Sequence, residues 1–356
     1  MLIRCPFFKP LNPNKMNNTI QNLKEQFATF RAENPKIRIR DAARTLGVSE
    51  AELVSTGENN IRLENGFENL LKEVNQLGYV MALTRNDHAV HERKGVYTKA
   101  SFNGHIGLVV NPDIDLRLFM NAWHSGFAVV EGDRKSLQFF DQAGEAVHKI
   151  YLTENSNLKA YDQLVSSYRD DSSETPLTVP TSKTAFIETP DDQIEVAAFQ
   201  QAWTELKDTH EFFGLMNRYR VSRKQAMRLA PKGYACEVFW PSVKSLLEEV
   251  SEQNMDIMVF VGNRGCIQIH TGKAKKLLQT GSWFNVLDPE FNMHLREDAI
   301  ESVWRVKKPT SDGIVTSLEL FDAEGNVIVQ FFGKRKPRVP ESVAWRKVVS
   351  DYTVQK

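Results

Sequence analysis

Two stretches of the chain carry the same alternation of apolar and polar positions. "FENLLKEVNQLGYVMAL" and "VKSLLEEVSEQNMDIMVF" each begin with apolar residues at helical spacing, pass through a polar turn and continue as an alternating apolar strand. Farther on, "FFDQAGEAVHKIYL" is answered by "LFDAEGNVIVQFFG". Both read as strand, a turn holding Asp and Gly, then strand, which predicts a hairpin. Between these, "VVNPDIDLRLFMNAW" parallels "VLDPEFNMHLREDAI". One order of events is thus repeated at long period, which points to a duplicated domain and not to a solenoid. Residues 164–193, "LVSSYRDDSSETPLTVPTSKTAFIETPDDQ", lack a sustained helical period and are rich in Ser, Thr, Asp and Pro, as expected of a linker. The expected fold is α+β by tandem duplication. Residues 18–163 form the first repeat and 194–350 the second, each a large antiparallel sheet with flanking helices.

The copies differ where chemistry could enter. Arg117 of "DLRLF" faces His294 of "NMHLR" in the alignment of the halves. The second half carries His210 in "WTELKDTHEFFGLMNRY", whereas the early helices of the first half hold no histidine. Trp203, Leu206, His210 and Phe213 recur at spacings of three and four, the period of one helical face. On spacing alone, His210 reads as a core imidazole bonded to a backbone carbonyl. The other reading is an imidazole facing a cleft. A ligand suited to it is a metal held in a flat aromatic macrocycle. Haem is such a ligand, and its two propionates call for Arg or Lys. Arg223, Lys308 and Arg335 are the candidate cations, although each alone reads as a solvated surface charge.

Composition narrows the remaining classes. The 356 residues are 41% hydrophobic and 25% charged, an ordinary globular balance for a chain long enough for two units. Lys+Arg and Asp+Glu are equal at 45 each, so no net charge draws the chain to nucleic acid or acidic membranes. No apolar run reaches the ~20 residues of a membrane span. The start, "MLIRCPFFKPLNPNKMNNTI", does not read as a secretory signal, and translation from Met1 or from Met16 fits equally. Cys5, Cys236 and Cys266 are too scattered for a disulfide framework; Cys236 and Cys266 read as buried thiols in a reducing cytoplasm.

Other motifs favour plain readings. "IRIRDAARTLGVSEAELVST" (37–56) has helix-turn-helix spacing, but its second helix is acidic, so a packing unit is expected and DNA binding is not. "HAVH" (His88, His91) reads as an exposed turn or strand end. No Gly-rich phosphate loop, zinc-protease motif or nucleophile elbow is present.

"WTELKDTHEFFGLMNRYRVSRKQAMRLA" closely resembles the signature of the HemS/ChuS/HmuS family of bacterial cytoplasmic haemin-handling proteins. So do "VMALTRNDHAVHERKGVY", "NPDIDLRLFMNAWHSGFAV", "SWFNVLDPEFNMHLRED" and "VKKPTSDGIVTSLELFD", and the matches run from about residue 20 to 348. The resemblance implies two similar halves with haem b in a cleft on the C-terminal half, closed partly by the N-terminal half. His210 matches the proximal iron ligand and Arg117 the distal arginine. Arg223, Lys308 and Arg335 match cations around the propionates, and Phe260 and Gln330 match pocket-lining positions. At Phe332 the family often has tyrosine, so a polar contact is missing there while the lining remains.

The resemblance implies a role in haem uptake and iron acquisition, with two outcomes open. In one, Arg117 stabilises negative charge developing at the open face of the iron, and an external electron donor drives ring opening to a linear tetrapyrrole and free iron. In the other, the protein is a carrier that takes haem from an inner-membrane importer and passes it to a separate haem oxygenase. Both need the same histidine. A reductase partner and the choice between monomer and homodimer also stay open.

Overall fold

The paired hydrophobic patterns become two nine-stranded antiparallel sheets that share their strands. The computed structural model describes residues 13–171, 177, 179, 188–335 and 338–353. The first copy runs α1 (Pro13–Glu33), α2 (Ile39–Leu46), α3 (Glu50–Ser55), β1 (Ile61–Leu63), α4 (Phe67–Glu73), β2 (Gly78–Arg85), β3 (Ala89–Val96), β4 (Ser101–Asn103), β5 (Ile106–Val110), β6 (Asp115–Phe119), β7 (Ser125–Glu131), β8 (Arg134–Phe140), β9 (Ala146–Ser156) and α5 (Leu158–Ser167). The helix α5 extends past residue 163, and residues 172–176, 178 and 180–187 of the expected linker lie outside the described residues. The second copy runs α6 (Val196–Thr204), α7 (Glu211–Tyr219), α8 (Arg223–Arg228), β10 (Ala235–Val238), α9 (Trp240–Glu252), β11 (Ile257–Gly262), β12 (Cys266–Gly272), β13 (Leu277–Thr280), β14 (Trp283–Leu287), β15 (Phe291–Arg296), β16 (Ser302–Thr310), β17 (Gly313–Phe321), β18 (Val327–Gly333) and α10 (Val343–Tyr352).

The sheet orders are β1-β7-β8-β9-β2-β3-β15-β14-β13 and β10-β16-β17-β18-β11-β12-β6-β5-β4. Replacing each strand of one copy by its counterpart in the other converts the first order into the second. Each copy therefore builds six strands of its own sheet and sends a three-stranded meander to the end of the other. The joints are β6 on β12 and β15 on β3. Arg117 lies opposite Ile267, and His294 lies opposite Val90. Hydrophobic alternation specifies such strands but is silent about which sheet they join, since either edge offers the same backbone hydrogen bonds.

The hydrophobic cores cross the copies for the same reason. Leu70, Leu71, Leu137 and Ile150 pack with Leu116 and Leu118 and with Cys266 of β12. Leu246, Val250, Phe331 and Trp345 pack with Phe284, Met293 and Leu295 and with Ala89 of β3. On the opposite face of the second sheet, α6 to α8 cover the end at β10, β16 and β17, through Trp203, Phe212, Met216, Val306 and Phe321. Beyond them Gln330, Phe260, Ile267 and Arg117 are half-buried and Leu108 and Val110 exposed, and this decides where a ligand can lie.

Segment 37–56 forms α2 and α3 with the turn Gly47 at φ 71, and its apolar residues pack into Ala42, Ala43 and Leu53. Ser49 and Glu52 close a capping box at the start of α3. Ser222 and Gln225 repeat it at α8. The turn preceding α8 places Arg220 in the left-handed region at φ 55, where the first copy has Gly47. Cys236 and Cys266 are buried free thiols. The reading of "HAVH" as an exposed turn holds only in part for His88, which sits in the β2–β3 turn but is half-buried, and fails for His91, which is wholly buried in β3. The exchanged strand β15 covers His91, with the Phe291 ring 5.0 Å from its own.

Candidate functional site: an exposed histidine beside an open sheet face

The single helical face expected through Trp203, Leu206, His210 and Phe213 does not form. The helix breaks between α6 and α7, and His210 becomes the residue preceding α7. Local hydrogen bonds outcompete helix continuation here. The backbone N–H groups of Lys207 and Asp208 donate to Glu211 Oε2 at 2.8 and 3.2 Å, and that of His210 donates to Asp208 Oδ1 at 2.9 Å. The loop is pinned to the β16–β17 hairpin: Trp203 Nε1 donates to the Lys307 carbonyl and the Ser311 N–H to the Lys207 carbonyl. Trp203 and Leu206 go to the core, while Phe213 is exposed and the His210 side chain is 84% exposed. The core reading of His210 is thereby excluded. Its Nδ1 donates to Asp208 Oδ1 at 2.6 Å, and Nε2 has no hydrogen-bond partner among the described residues.

Two residues beyond His210, Phe212 points the other way, into the protein. Its ring lies over a charged cluster, with Lys308 Nζ 4.7 Å and the Arg223 guanidinium 5.5 Å from the centroid. Both cations converge on Glu319, which is wholly buried: Arg223 Nε at 2.7 Å and Lys308 Nζ at 2.5 Å. Burial would raise the Glu319 carboxyl, but the charges of Arg223 and Lys308 prevail and hold it well below the usual carboxylate range. Burial lowers Lys308 to about 8 despite its bond to Glu319. Lys308 is therefore an interior charge and not a rim cation, whereas Arg223 keeps part of its surface in solvent. Arg335 follows β18 half-buried, and its charge helps hold the Asp208 carboxyl low, after the hydrogen bonds from His210.

Strand register places the other candidates on one face. Glu319 pairs with Gln330, Gln330 with Phe260, and Ser317 with Phe332. Phe260 then pairs with Ile269, and Ile267 with Arg117. Directly paired residues share a face, so Glu319, Gln330, Phe332, Phe260, Ile267 and Arg117 line a single surface. This is the surface left open by α6 to α8. The Phe260 and Phe332 rings touch at 4.8 Å between centroids. Toward the sheet edge, the exposed Leu108 and Val110 continue it. Arg117 bonds Asp115 on its own strand. A shallow dent of about 300 Å³ elsewhere, lined by Ala202, Leu206, Glu211, Leu215 and Arg218, contains none of these residues.

Sequence reasoning missed Asp208, Glu319 and the apolar floor of Ile267, Leu108 and Val110. Asp208 had a local signal, an Asp two residues before the histidine where an Asx turn can form. Glu319 had another, a carboxylate inside the apolar run "TSLELF".

The arrangement suits a flat apolar ligand carrying a metal and carboxylates. The sheet supplies an apolar surface, His210 an outward nitrogen, and Gln330 a buried Nε2 donor with no acceptor among the described residues. Among the described residues, no helix is long and apolar enough to cross a membrane.

A duplicated α+β protein whose two nine-stranded sheets exchange strands defines the structural class. The family described as "Haemin-degrading HemS.ChuX domain" matches residues 47–168 and 220–352. The hemin transport protein HmuS of Yersinia pestis is 39% identical over 337 residues, 92% of this chain and 96% of that one. Holo-PhuS, a heme-binding protein from Pseudomonas aeruginosa, is 44% identical with a TM-score of 0.91, covering 94% of this chain and 99% of that one. ChuS, an E. coli heme oxygenase, is 34% identical with a TM-score of 0.84, covering 93% and 99%. The chain belongs to the HemS.ChuX family.

Proposed function

We propose that this protein binds one haem b on the open face of its second sheet, as a cytoplasmic component of bacterial haem uptake and iron acquisition. The observation that carries the reading is the exposed Nε2 of His210, fixed by Asp208 beside an apolar surface that bears Arg117. His210 ligates the iron. Phe260 and Phe332 pack the macrocycle, and Gln330, Arg223 and Arg335 meet the propionates. Lys308 contributes its charge from beneath Phe212. Residues 18–163 furnish the Arg117 side of the cleft and residues 194–350 the His210 side, with 164–193 joining them. Haem supplies the oxygen chemistry when bound and reduced by an external donor. Arg117 then acts as the fixed positive charge that favours oxidative ring opening and iron release.

The names of two relatives mark the alternatives, a heme oxygenase and a hemin transport protein. Delivery from an inner-membrane importer to a separate haem oxygenase or reductase system is the second reading, and the openness of His210 favours it because an exposed ligand is easily handed over. Haemin titration of wild type and His210→Ala tests the common part. Loss of the wild-type Soret band and weaker binding are expected; an unchanged band and affinity would sink the assignment. Aerobic incubation of the haem complex with a physiological reductant and catalase, followed by mass spectrometry, separates degradation from delivery. A tetrapyrrole product supports the first, and intact haem the second.

A further inference from the structure

The two copies locate the feature that sets His210 apart. Their capping boxes at Ser49 and Ser222 give a common reference. His210 lies twelve residues before Ser222, and the residue twelve before Ser49 is Ile37. Asp208 corresponds in the same way to Pro35. The histidine and the carboxylate beside it are thus present together in one copy and replaced together in the other.

We infer that Asp208 is a positioning residue for His210, setting both the orientation of the imidazole and the donor strength of its Nε2. The inference rests on the haem-binding reading above. Three contacts carry it. Asp208 Oδ1 accepts from His210 Nδ1 at 2.6 Å and from the His210 backbone N–H at 2.9 Å. The Asp208 N–H in turn donates to Glu211 Oε2 at 3.2 Å, so the carboxylate is itself held against the start of α7. A carboxylate accepts and cannot donate, so the Nδ1 proton points at Asp208 and the lone pair sits on Nε2. A hydrogen bond to an anion pushes electron density through the ring toward whatever Nε2 ligates. In the second copy this makes an otherwise mobile, 84% exposed side chain into a fixed and basic donor. No other described side chain bonds the ring.

The substitution Asp208→Asn separates this role from a merely structural one. Asn keeps the cap on the His210 N–H almost as well as Asp, but it removes the negative charge. Haemin titration should show affinity lower by roughly 10–100-fold for Asp208→Ala and by an intermediate factor for Asp208→Asn. Resonance Raman of the ferrous complexes should show the iron–histidine stretch shifted to lower frequency in the order wild type, Asn, Ala. Circular dichroism and the urea midpoint of apo Asp208→Asn should stay near wild type, since Asn keeps the cap, whereas apo Asp208→Ala, which loses it, should show a lower midpoint. Wild-type affinity and stretch in Asp208→Asn would overturn the inference while leaving His210 as ligand. If His210→Ala also binds normally, the underlying haem site is wrong instead.

Discussion

Asn86 and Asn263 perform the same task from opposite sides of the junction between the sheets. Asn86 Oδ1 accepts from the His88 and Ala89 N–H groups, shaping the β2–β3 turn, while Nδ2 donates across to the Gly262 and Ile328 carbonyls at 3.1 and 2.8 Å. Asn263 Oδ1 accepts from Gly265 and Cys266, and its Nδ2 crosses to the Arg85 and Val147 carbonyls at 2.9 and 2.8 Å. Each amide uses both ends, so the pair fixes the two sheets in one register. We expect Asn263→Ala to lower stability by about 2–3 kcal/mol, because it strands two carbonyls and two N–H groups. Asn263→Asp should be worse, since it turns an anion toward those carbonyls. Urea unfolding checks both, and equal effects would refute the account.

The Glu319 cluster makes a second expectation. Glu319→Gln removes the one anion between Arg223 and Lys308, and breaking a buried pair costs about 3–5 kcal/mol. Without its carboxylate, Lys308 should titrate below the value of about 8 that it has now. An unfolded lysine holds its proton to a higher pH than this one. Stability of the variant therefore begins to rise with pH earlier than that of wild type. The gap between them should be largest near pH 6 and narrow toward pH 8, as read by urea midpoints. A gap independent of pH would contradict it.

His91 lies wholly buried with neither ring nitrogen hydrogen-bonded among the described residues. Burial, with the charges of His270 and Arg93, holds its pKa well below the usual histidine range. Burial likewise lowers His148 to about 3 and His270 to about 4. The unfolded chain protonates these rings below about 6.5, whereas the folded chain protonates His270 only at about 4, His148 only at about 3 and His91 only well below the usual range. Stability is therefore full above pH 6.5 and falls as the pH drops through that window, by up to about 1.4 kcal/mol per pH unit for each ring. His91→Leu should raise stability by about 1 kcal/mol at neutral pH and flatten the fall between pH 6.5 and 5. Thermal or urea unfolding across this range decides it; an unchanged slope would count against the burial argument.

Phe332 is the position where the resemblance leads one to expect tyrosine. Its ring packs on Phe260, on the sheet face proposed to hold the haem. Phe332→Tyr should tighten haemin binding by 2- to 10-fold, the equivalent of a hydrogen bond worth about 0.5–1.5 kcal/mol. Titration by Soret absorbance measures it, and a loss of affinity would mean the hydroxyl has no acceptor there.

Arg117 stands on the exchanged strand β6, away from the α7 end of the face. Arg117→Ala should leave haemin affinity within a few-fold of wild type but slow haem breakdown by 10-fold or more, in line with loss of one charge at a developing anion. Single-turnover absorbance with a common reductant compares the two. An equal rate would remove the catalytic role.

Parts of this were legible in the chain. The helix and strand pattern identified the elements, because burial on a helix or a sheet face imposes its own period on the sequence. The parallel motifs identified the duplication, and the Arg117–His294 correspondence survives in the matching pairings of β6 with β12 and of β15 with β3. His210 was visible as an asymmetry between the copies, but its spacing alone pointed to the core. Its spacing with Trp203 and Leu206 is helical, yet the choice between a continuous helix and a broken one rests on the bonds of Asp208 and Glu211.

The sequence by itself determined the α+β class, the two copies and the residue types available for a ligand, because periodicity and composition are local properties. Only the tertiary structure decided that each sheet borrows three strands from the other copy, that Glu319 gathers Arg223 and Lys308, and that Arg117 shares a face with Phe260 and Gln330. Those facts follow from strand register and from which sheet edge a meander joins, and neither leaves a local trace in the order of residues.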